Sequence, residues 1–328
     1  MIVKELPIEN ARDLLASCKK IHDNGQYAFT EKCFHTIPVS LSQRNLRKVD
    51  DILDSESCRF LQRIFIRLDQ QDNLVALPLP TQLASILAKG LRASTKCETI
   101  VVYDDPRRTS RNFRVMLANV AEALERILSF EDIKPFKVQI HNIRLDNSQE
   151  LGYYRKFLKL VESVDLRFES KKTERFLVTL FGKTLSLATN LQSLSLIVNG
   201  DKLLSPKTVR RITKRIRSKT LESLTIDGIF TSKGQLEGIL RPFRASIKKL
   251  TLKSATFNNT SFVGFISHIQ DNFSLDYICF KDIWEDDNGK EYEVLDRVKL
   301  YKEDMPDGLR TLKSDILSSS SIQSLIES

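Results

Sequence analysis

One short pattern constrains this chain more than any other feature: an apolar residue, two variable positions, an apolar residue, one variable position, and a third apolar residue. It is plainest as Leu191, Leu194 and Leu196 in LQSLSL, Leu221, Leu224 and Ile226 in LESLTI, Ile247, Leu250 and Leu252 in IKKLTL, and Leu275, Ile278 and Phe280 in LDYICF, at steps of 30, 26 and 28 residues. Looser copies precede these: Leu61, Ile64 and Ile66; Cys97, Ile100 and Val102; Val138 and Ile140; Val161, Val164 and Leu166. Eight candidate strands result.

The intervening segments have helical periodicity instead. Phe113, Leu117, Val120, Leu124 and Leu128 form one apolar stripe, and Phe176, Leu180, Phe181, Thr184 and Leu187 a second. Leu236, Ile239, Leu240 and Phe243 form a third, and Phe262, Phe265, Ile266, Ile269 and Phe273 a fourth. A strand and a helix of this size cannot bury their own apolar faces, so stacked neighbours must complete the core. The expectation is an α/β solenoid, with parallel strands on the concave side, helices on the convex side and a short helical N-terminal cap. A hydrophobic fraction of 41% over 328 residues suits such an extended surface. A doubly wound α/β domain would require a glycine-rich phosphate loop after a strand, and the sequence has none.

The LxxLxL strands with a helix in each repeat resemble leucine-rich repeats of the longer-period kind, from Leu61 to about Ile283. Asn199 stands where that family has its asparagine. The other clear repeats place Ile229, Ala255 and Ile283 there, so an asparagine ladder is absent and the turns must be held by other means.

The N-terminal segment resembles fungal F-box proteins with leucine-rich repeats. Leu6 and Pro7 match the opening of that family, Asp13, Leu14, Leu15, Cys18, Lys19 and Lys20 a later helix, and residues 33–40, CFHTIPVS, the phrase that leads into the repeats. The resemblance implies contacts from Leu6, Pro7, Leu14 and Leu15 to the Skp adaptor of a cullin-RING ubiquitin ligase. The passage from Glu9 to Asp13 is shorter than in the family. One shortened helix cannot supply a standard interface of about 800 Å² per partner, so the F-box is degenerate or truncated. The resulting division is a degenerate F-box-like helical cap over 1–40, a solenoid of about eight repeats over 41–283, and an acidic loop with a C-terminal helical cap over 284–328.

Chemistry-bearing motifs are sparse. His22, His35, His141 and His268 stand apart, and no metal-ligand spacing, nucleophile elbow or phosphate loop occurs. Cys18, Cys33, Cys58, Cys97 and Cys279 are widely spaced and read as thiols of a reducing compartment. Gly234 and Gly238, separated by three residues in TSKGQLEGIL, fall inside a helical pattern. The N-terminus lacks the apolar stretch of a signal peptide and no segment is long enough to span a membrane, which points to an intracellular protein, cytoplasmic or nuclear.

The formal charge of +9 is unevenly distributed. A helix is expected over 205–219, with Ser205 as N-cap and Pro206 at its first position. Lys207, Arg210, Arg211, Lys214, Arg215, Arg217 and Lys219 give it +7. Residues 282–307 carry a net −6, and their WEDDNGKEY centre reads as a turn or exposed excursion, closed by a helix from Asp307 to Leu317. No aromatic residues interleave the basic helix, which argues against nucleic acid. Period-two geometry places the residue after each third apolar position on the face opposite the core: Arg67, Tyr103, His141, Arg167, Ile197, Asp227, Lys253 and Lys281. This mildly basic column is the candidate contact surface for an acidic protein segment.

Together these features predict a protein-recognition module without enzymatic activity or cofactor. It resembles the substrate-recognition subunit of an SCF-type ligase, with the Skp adaptor and cullin as implied partners. The alternative is a stand-alone scaffold or regulator that binds an anionic partner through the basic helix and has no ligase link.

Overall fold

A computed structural model describes residues 34–68, 80–104, 113–144, 155, 158–168, 182–198, 203–216, 220–258, 262–287 and 290–326. Parallel strands alternate with helices, and the chain divides into two compact units. The first comprises Met1–His141 and Gly152–Leu160, the second Asn142–Leu151 and Val161–Ser328.

In the first unit, β1 (Thr36–Ser40), β2 (Arg63–Leu68), β3 (Thr99–Asp104) and β4 (Lys137–Arg144, up to His141) pair in parallel in chain order. The repeat pattern sets the register: Ile37, Ile64, Ile100 and Val138 are aligned, as are Val39, Ile66, Val102 and Ile140, and all are buried. Helices α1 (Gln43–Leu53), α2 (Pro80–Ala93) and α3 (Phe113–Ile127) run between the strands. Gly90 permits close approach of α2 to β2, since a Cβ there would lie 2.7 Å from Ile64 Cδ1. The predicted stripe of α3 holds at Leu117, Val120 and Leu124, whereas Leu128 lies past the helix end and is exposed.

In the second unit, β5 (Val161–Phe168), β6 (Ser193–Val198), β7 (Ser223–Thr231), β8 (Lys249–Asn258) and β9 (Tyr277–Asp287) pair in parallel, and β10 (Lys290–Tyr301) pairs antiparallel to β9. Helices α4 (Pro206–Thr213), α5 (Lys233–Leu240), α6 (Phe262–Asn272) and α7 (Met305–Ile326) complete it. Leu166, Leu196, Ile226, Leu252 and Phe280 are fully buried in one row, and Val164, Leu194, Leu224, Leu250 and Ile278 in another.

Two backbone devices hold the turns where an asparagine ladder would otherwise do so. Before the strands, an unbroken run of bonds links equivalent positions: Gln192 N–H donates to Glu162 O, Glu222 to Gln192, Lys248 to Glu222 and Asp276 to Lys248, at 2.7–2.8 Å. After the third apolar residue, Gly228, Ser254 and Asp282 all adopt positive φ (84°, 46° and 52°). Each positive-φ residue turns the next one inward, so Ile229, Ala255 and Ile283 become fully buried and paired in register.

Three expectations change. The acidic stretch read as a closing loop forms the end of β9 and all of β10. Its Asn288-Gly289 pair has the composition of a two-residue hairpin, and an edge strand tolerates the charges that masked it. The C-terminal helix is longer than expected, Met305–Ile326. The basic helix is shorter: α4 ends at Thr213, Lys214 and Arg215 form a turn, and Arg217 and Lys219 lie outside the described residues. Thr213 contributes to that stop, because its hydroxyl bonds back to Val209 O and Arg210 O. Leu6, Pro7, Leu14 and Leu15 also lie outside the described residues.

Candidate functional site

Strand alternation that buries the apolar rows projects the intervening residues onto the opposite face. In the first unit, Ser40, Arg67, Tyr103 and His141 align in register across β1–β4, all half-buried. Phe65 and Tyr103 stack at 5.5 Å between ring centroids, and His141 Nε2 lies 3.4 Å from Gln139 Oε1. In the second unit the column runs Arg167, Ile197, Asp227, Lys253, Lys281 and Arg297. Three of the eight predicted column residues thus fall in the in-register row of the first unit and five in that of the second. Arg297 extends the second row; it went unread because it reaches the face through the antiparallel β10 rather than through the repeat.

Lys253, Lys281 and Arg297 stand side by side on consecutive strands. Lys281 pairs with Asp282 at 3.4 Å, whereas Lys253 and Arg297 have no ion pair among the described residues. Lys249 and Lys299 occupy neighbouring rows of the same strands. Small hydroxyls dominate the neighbouring rows: Ser163, Ser193 and Ser223 in one, which ends on Lys249, and Ser195, Thr225 and Thr251 in the next, which begins on Asp165. The face is therefore mixed over β5–β7, where Arg167, Ile197 and Asp227 stand among short hydroxyls, and more cationic over β8–β10. Beyond the positive-φ residues, Phe230 and Trp284 are each 37% exposed, with the buried Thr256 between them in register.

Tyr277 flanks this region, its ring 5.3 Å from that of Tyr301. Burial is the main cause that pushes its phenol up to about 12, followed by a hydrogen bond with Cys279. Asp282, Glu293 and Asp296 bring three carboxylates within 4.8 Å of one another, one of them shared with Lys281.

Helix α4 keeps the capping expected of it: Ser205 Oγ accepts from Thr208 N–H at 3.2 Å, with Pro206 in the first turn. Val209 and Ile212 are fully buried, and Lys207, Arg210, Arg211, Lys214 and Arg215 are exposed without an ion pair to any described residue. Arg210, Arg211 and the following cations also complement the negative end of the helix dipole.

Between α5 and α6 lies a cleft of about 330 Å³ that Gly234, Glu237, Gly238, Arg241 and His268 help to line. Sequence reading noted the two glycines but not the cleft, because their meeting with α6 depends on the lateral packing of two repeats. A second hollow beside it contains Lys248 and Lys302, which are already paired with Glu222 at 2.9 Å and Asp276 at 3.3 Å.

Among the thiols, Cys97 is buried and its pKa is pushed up to about 12, chiefly by that burial. The neutral thiol is unreactive. Cys97 should therefore resist iodoacetamide at pH 8.5 in the folded chain while the half-buried Cys58 is modified, and become reactive once denaturant is added; peptide-resolved mass spectrometry reads both sites. Because folding raises this pKa above the unfolded value, the group's contribution to stability is lost as pH rises from about 9 toward 12.

Fold and face together define a protein of parallel strand–helix repeats with an exposed polar sheet face. No protein-family model and no curated protein sequence matches the chain. Among solved structures it is similar to the leucine-rich repeat-containing protein LegL7 from Legionella pneumophila, with a TM-score of 0.40 and 12% identity, over 86% of this chain and 97% of that one. No described helix is long and apolar enough to cross a membrane.

Proposed function

We propose that the chain is a non-enzymatic recognition module built of leucine-rich-repeat-like units in a solenoid, which binds an acidic segment of a protein partner on the polar face of its sheet. The observation that carries this reading is the register of Lys253, Lys281 and Arg297, which sets three cations on adjacent strands about 4.8 Å apart. An extended acidic segment crossing those strands would meet one cation per strand. Asp282 already pairs with Lys281, whereas Lys253 and Arg297 on either side have no ion pair among the described residues, so a complementary anion would engage those two cations. The test is affinity capture with the full chain and with Lys253→Glu/Lys281→Glu, followed by titration of whatever acidic partner the wild type retains. The variant should weaken that partner about tenfold or more; unchanged affinity removes the assignment.

The finer part of the proposal is delivery of that partner to an SCF-type ubiquitin ligase. It rests on the resemblance of residues 6–20 and 33–40 to F-box proteins. Co-purification of the Skp adaptor and cullin, lost on Leu14→Asp/Leu15→Asp, supports it, and failure to retain the adaptor removes the ligase link while leaving the binding module intact.

A second reading is favoured by a specific observation, the five cations of α4 and its following turn that have no ion pair to any described residue. In that reading the protein is a stand-alone scaffold that holds an anionic partner through the helix. Lys207→Glu/Arg210→Glu/Arg211→Glu would then abolish capture while the sheet-face variant would not.

A further inference from the structure

We propose that the cleft between α5 and α6 is a binding site for a compact organic anion that carries an N–H or O–H donor beside its charge. The site lies among helices, apart from the sheet face, and its assignment does not depend on how that face is used.

The first observation is the composition of α5. Gly238 stands in the helix interior and Gly234 in its first turn, although glycine is the poorest helix former after proline. A close neighbour commonly explains such a choice, as Ile64 does at Gly90. Here nothing lies within 4 Å of the Cβ that either residue would carry, and neither has the positive φ that favours glycine. Packing within this chain does not require them. They keep the cleft open and leave helix backbone accessible to something that lies against it.

The second observation is the pair of arginines at the end of α5. Arg241 and Arg244 are three residues apart across a single 3₁₀ turn, a spacing that stacks side chains on one side. Both are exposed, and neither has a carboxylate partner among the described residues. Arg244 is oriented, since its Nε donates to Asn272 O at 2.7 Å, which leaves its terminal amino groups for another acceptor. Two adjacent guanidinium groups of this kind suit a carboxylate or phosphate. The neighbouring hollow differs in that both of its lysines are already neutralised.

The third observation is Glu237. Its Oε1 is shielded from solvent and accepts no hydrogen bond; His268 Nδ1 lies 3.3 Å away and Lys233 Nζ 3.8 Å, both in ion-pair rather than hydrogen-bond geometry. A shielded acceptor with ion-pair neighbours but no hydrogen bond is incompletely satisfied. An N–H or O–H on the ligand, next to its anionic group, would satisfy Oε1 while the anion engages Arg241 and Arg244. Local rules are thus broken three times around one cavity, which is where a functional site is to be looked for.

The probes are N-acetylglycine, a carboxylate with an adjacent N–H, and O-phosphoserine, its phosphate counterpart, with inorganic phosphate as an anion lacking the organic donor. Binding to the full chain is followed by calorimetry at constant ionic strength. One organic probe should bind at least about tenfold more tightly than inorganic phosphate, and the better of the two identifies the anion. Arg241→Gln should weaken it about tenfold or more. Gly234→Ala/Gly238→Ala should raise the melting temperature by roughly 2–4 °C, because alanine meets no neighbour and favours the helix, and should nevertheless lose the probe. The proposal is overturned if neither organic probe binds, if binding survives Arg241→Gln, or if the stabilised alanine variant binds as the wild type does.

Discussion

Phe280→Ala should lower the stability of the C-terminal unit by about 3–5 kcal/mol, the range for deletion of a fully buried aromatic side chain. Phe280 occupies the third apolar position of its repeat, where the preceding repeats have Leu196, Ile226 and Leu252. Its larger ring is accommodated by three others: its centroid lies 5.2 Å from that of Phe262 and 6.4 Å from that of Phe265, and Phe257 packs on both at 5.0 and 5.6 Å. All four are fully buried, and they belong to β8, α6 and β9. The space vacated by the ring is thus bounded by strand backbone on one side and by rings with few alternative rotamers on the other, so it cannot collapse. Phe280→Leu keeps most of the volume and should cost less, about 1–1.5 kcal/mol. Urea denaturation followed by tryptophan fluorescence reads this unit directly, because the single tryptophan, Trp284, is on β9. A loss below about 1 kcal/mol for the alanine variant would show that the cluster is not the tight element described.

The legibility of this fold in its sequence follows the same physical division. LxxLxL segments could be read because each couples a period of two to a fixed offset, and the eight strands they predicted are β2 to β9. The face column could be read for the same reason, since a residue next to a buried apolar position must point away from it. β1 could not, because Thr36–Ser40 is an edge strand of five residues with Pro38 at its centre, a residue that a central strand excludes. β10 escaped because its charged residues are what an edge needs and what a sequence reader takes for a loop. The stop of α4 at Thr213 depends on a hydroxyl turning back onto the helix, and sequence alone does not show which way it points. Least legible was the cleft. Gly234 and Gly238 were read only as part of a helical pattern that is no phosphate loop, and Arg241, Glu237 and His268 acquire meaning only when α5 and α6 pack side by side.

A second large effect concerns the one buried carboxylate among the described side chains of the second unit, Glu285, which is 2% exposed. It follows the positive-φ Asp282 on β9, and its Oε1 accepts from the backbone N–H of Phe262 at 2.8 Å. Phe262 is the first residue of α6, so this carboxylate satisfies an N–H that the helix itself leaves without a partner and sits at the positive end of the helix dipole. Glu285→Ala should cost about 2–3 kcal/mol, as expected when a buried hydrogen bond loses its acceptor and leaves the N–H unsatisfied, and Glu285→Gln about 1 kcal/mol, because the amide oxygen can still accept. The same residue that receives the bond contributes a ring to the aromatic cluster. The carboxylate and the rings therefore fix one object, the start of α6, from two sides. The double variant Phe280→Ala/Glu285→Ala should accordingly lose less than the sum of the single variants, by about 0.5–3 kcal/mol, since residues that share a partner couple on that scale. Additive losses would mean that Glu285 caps the helix without positioning Phe262.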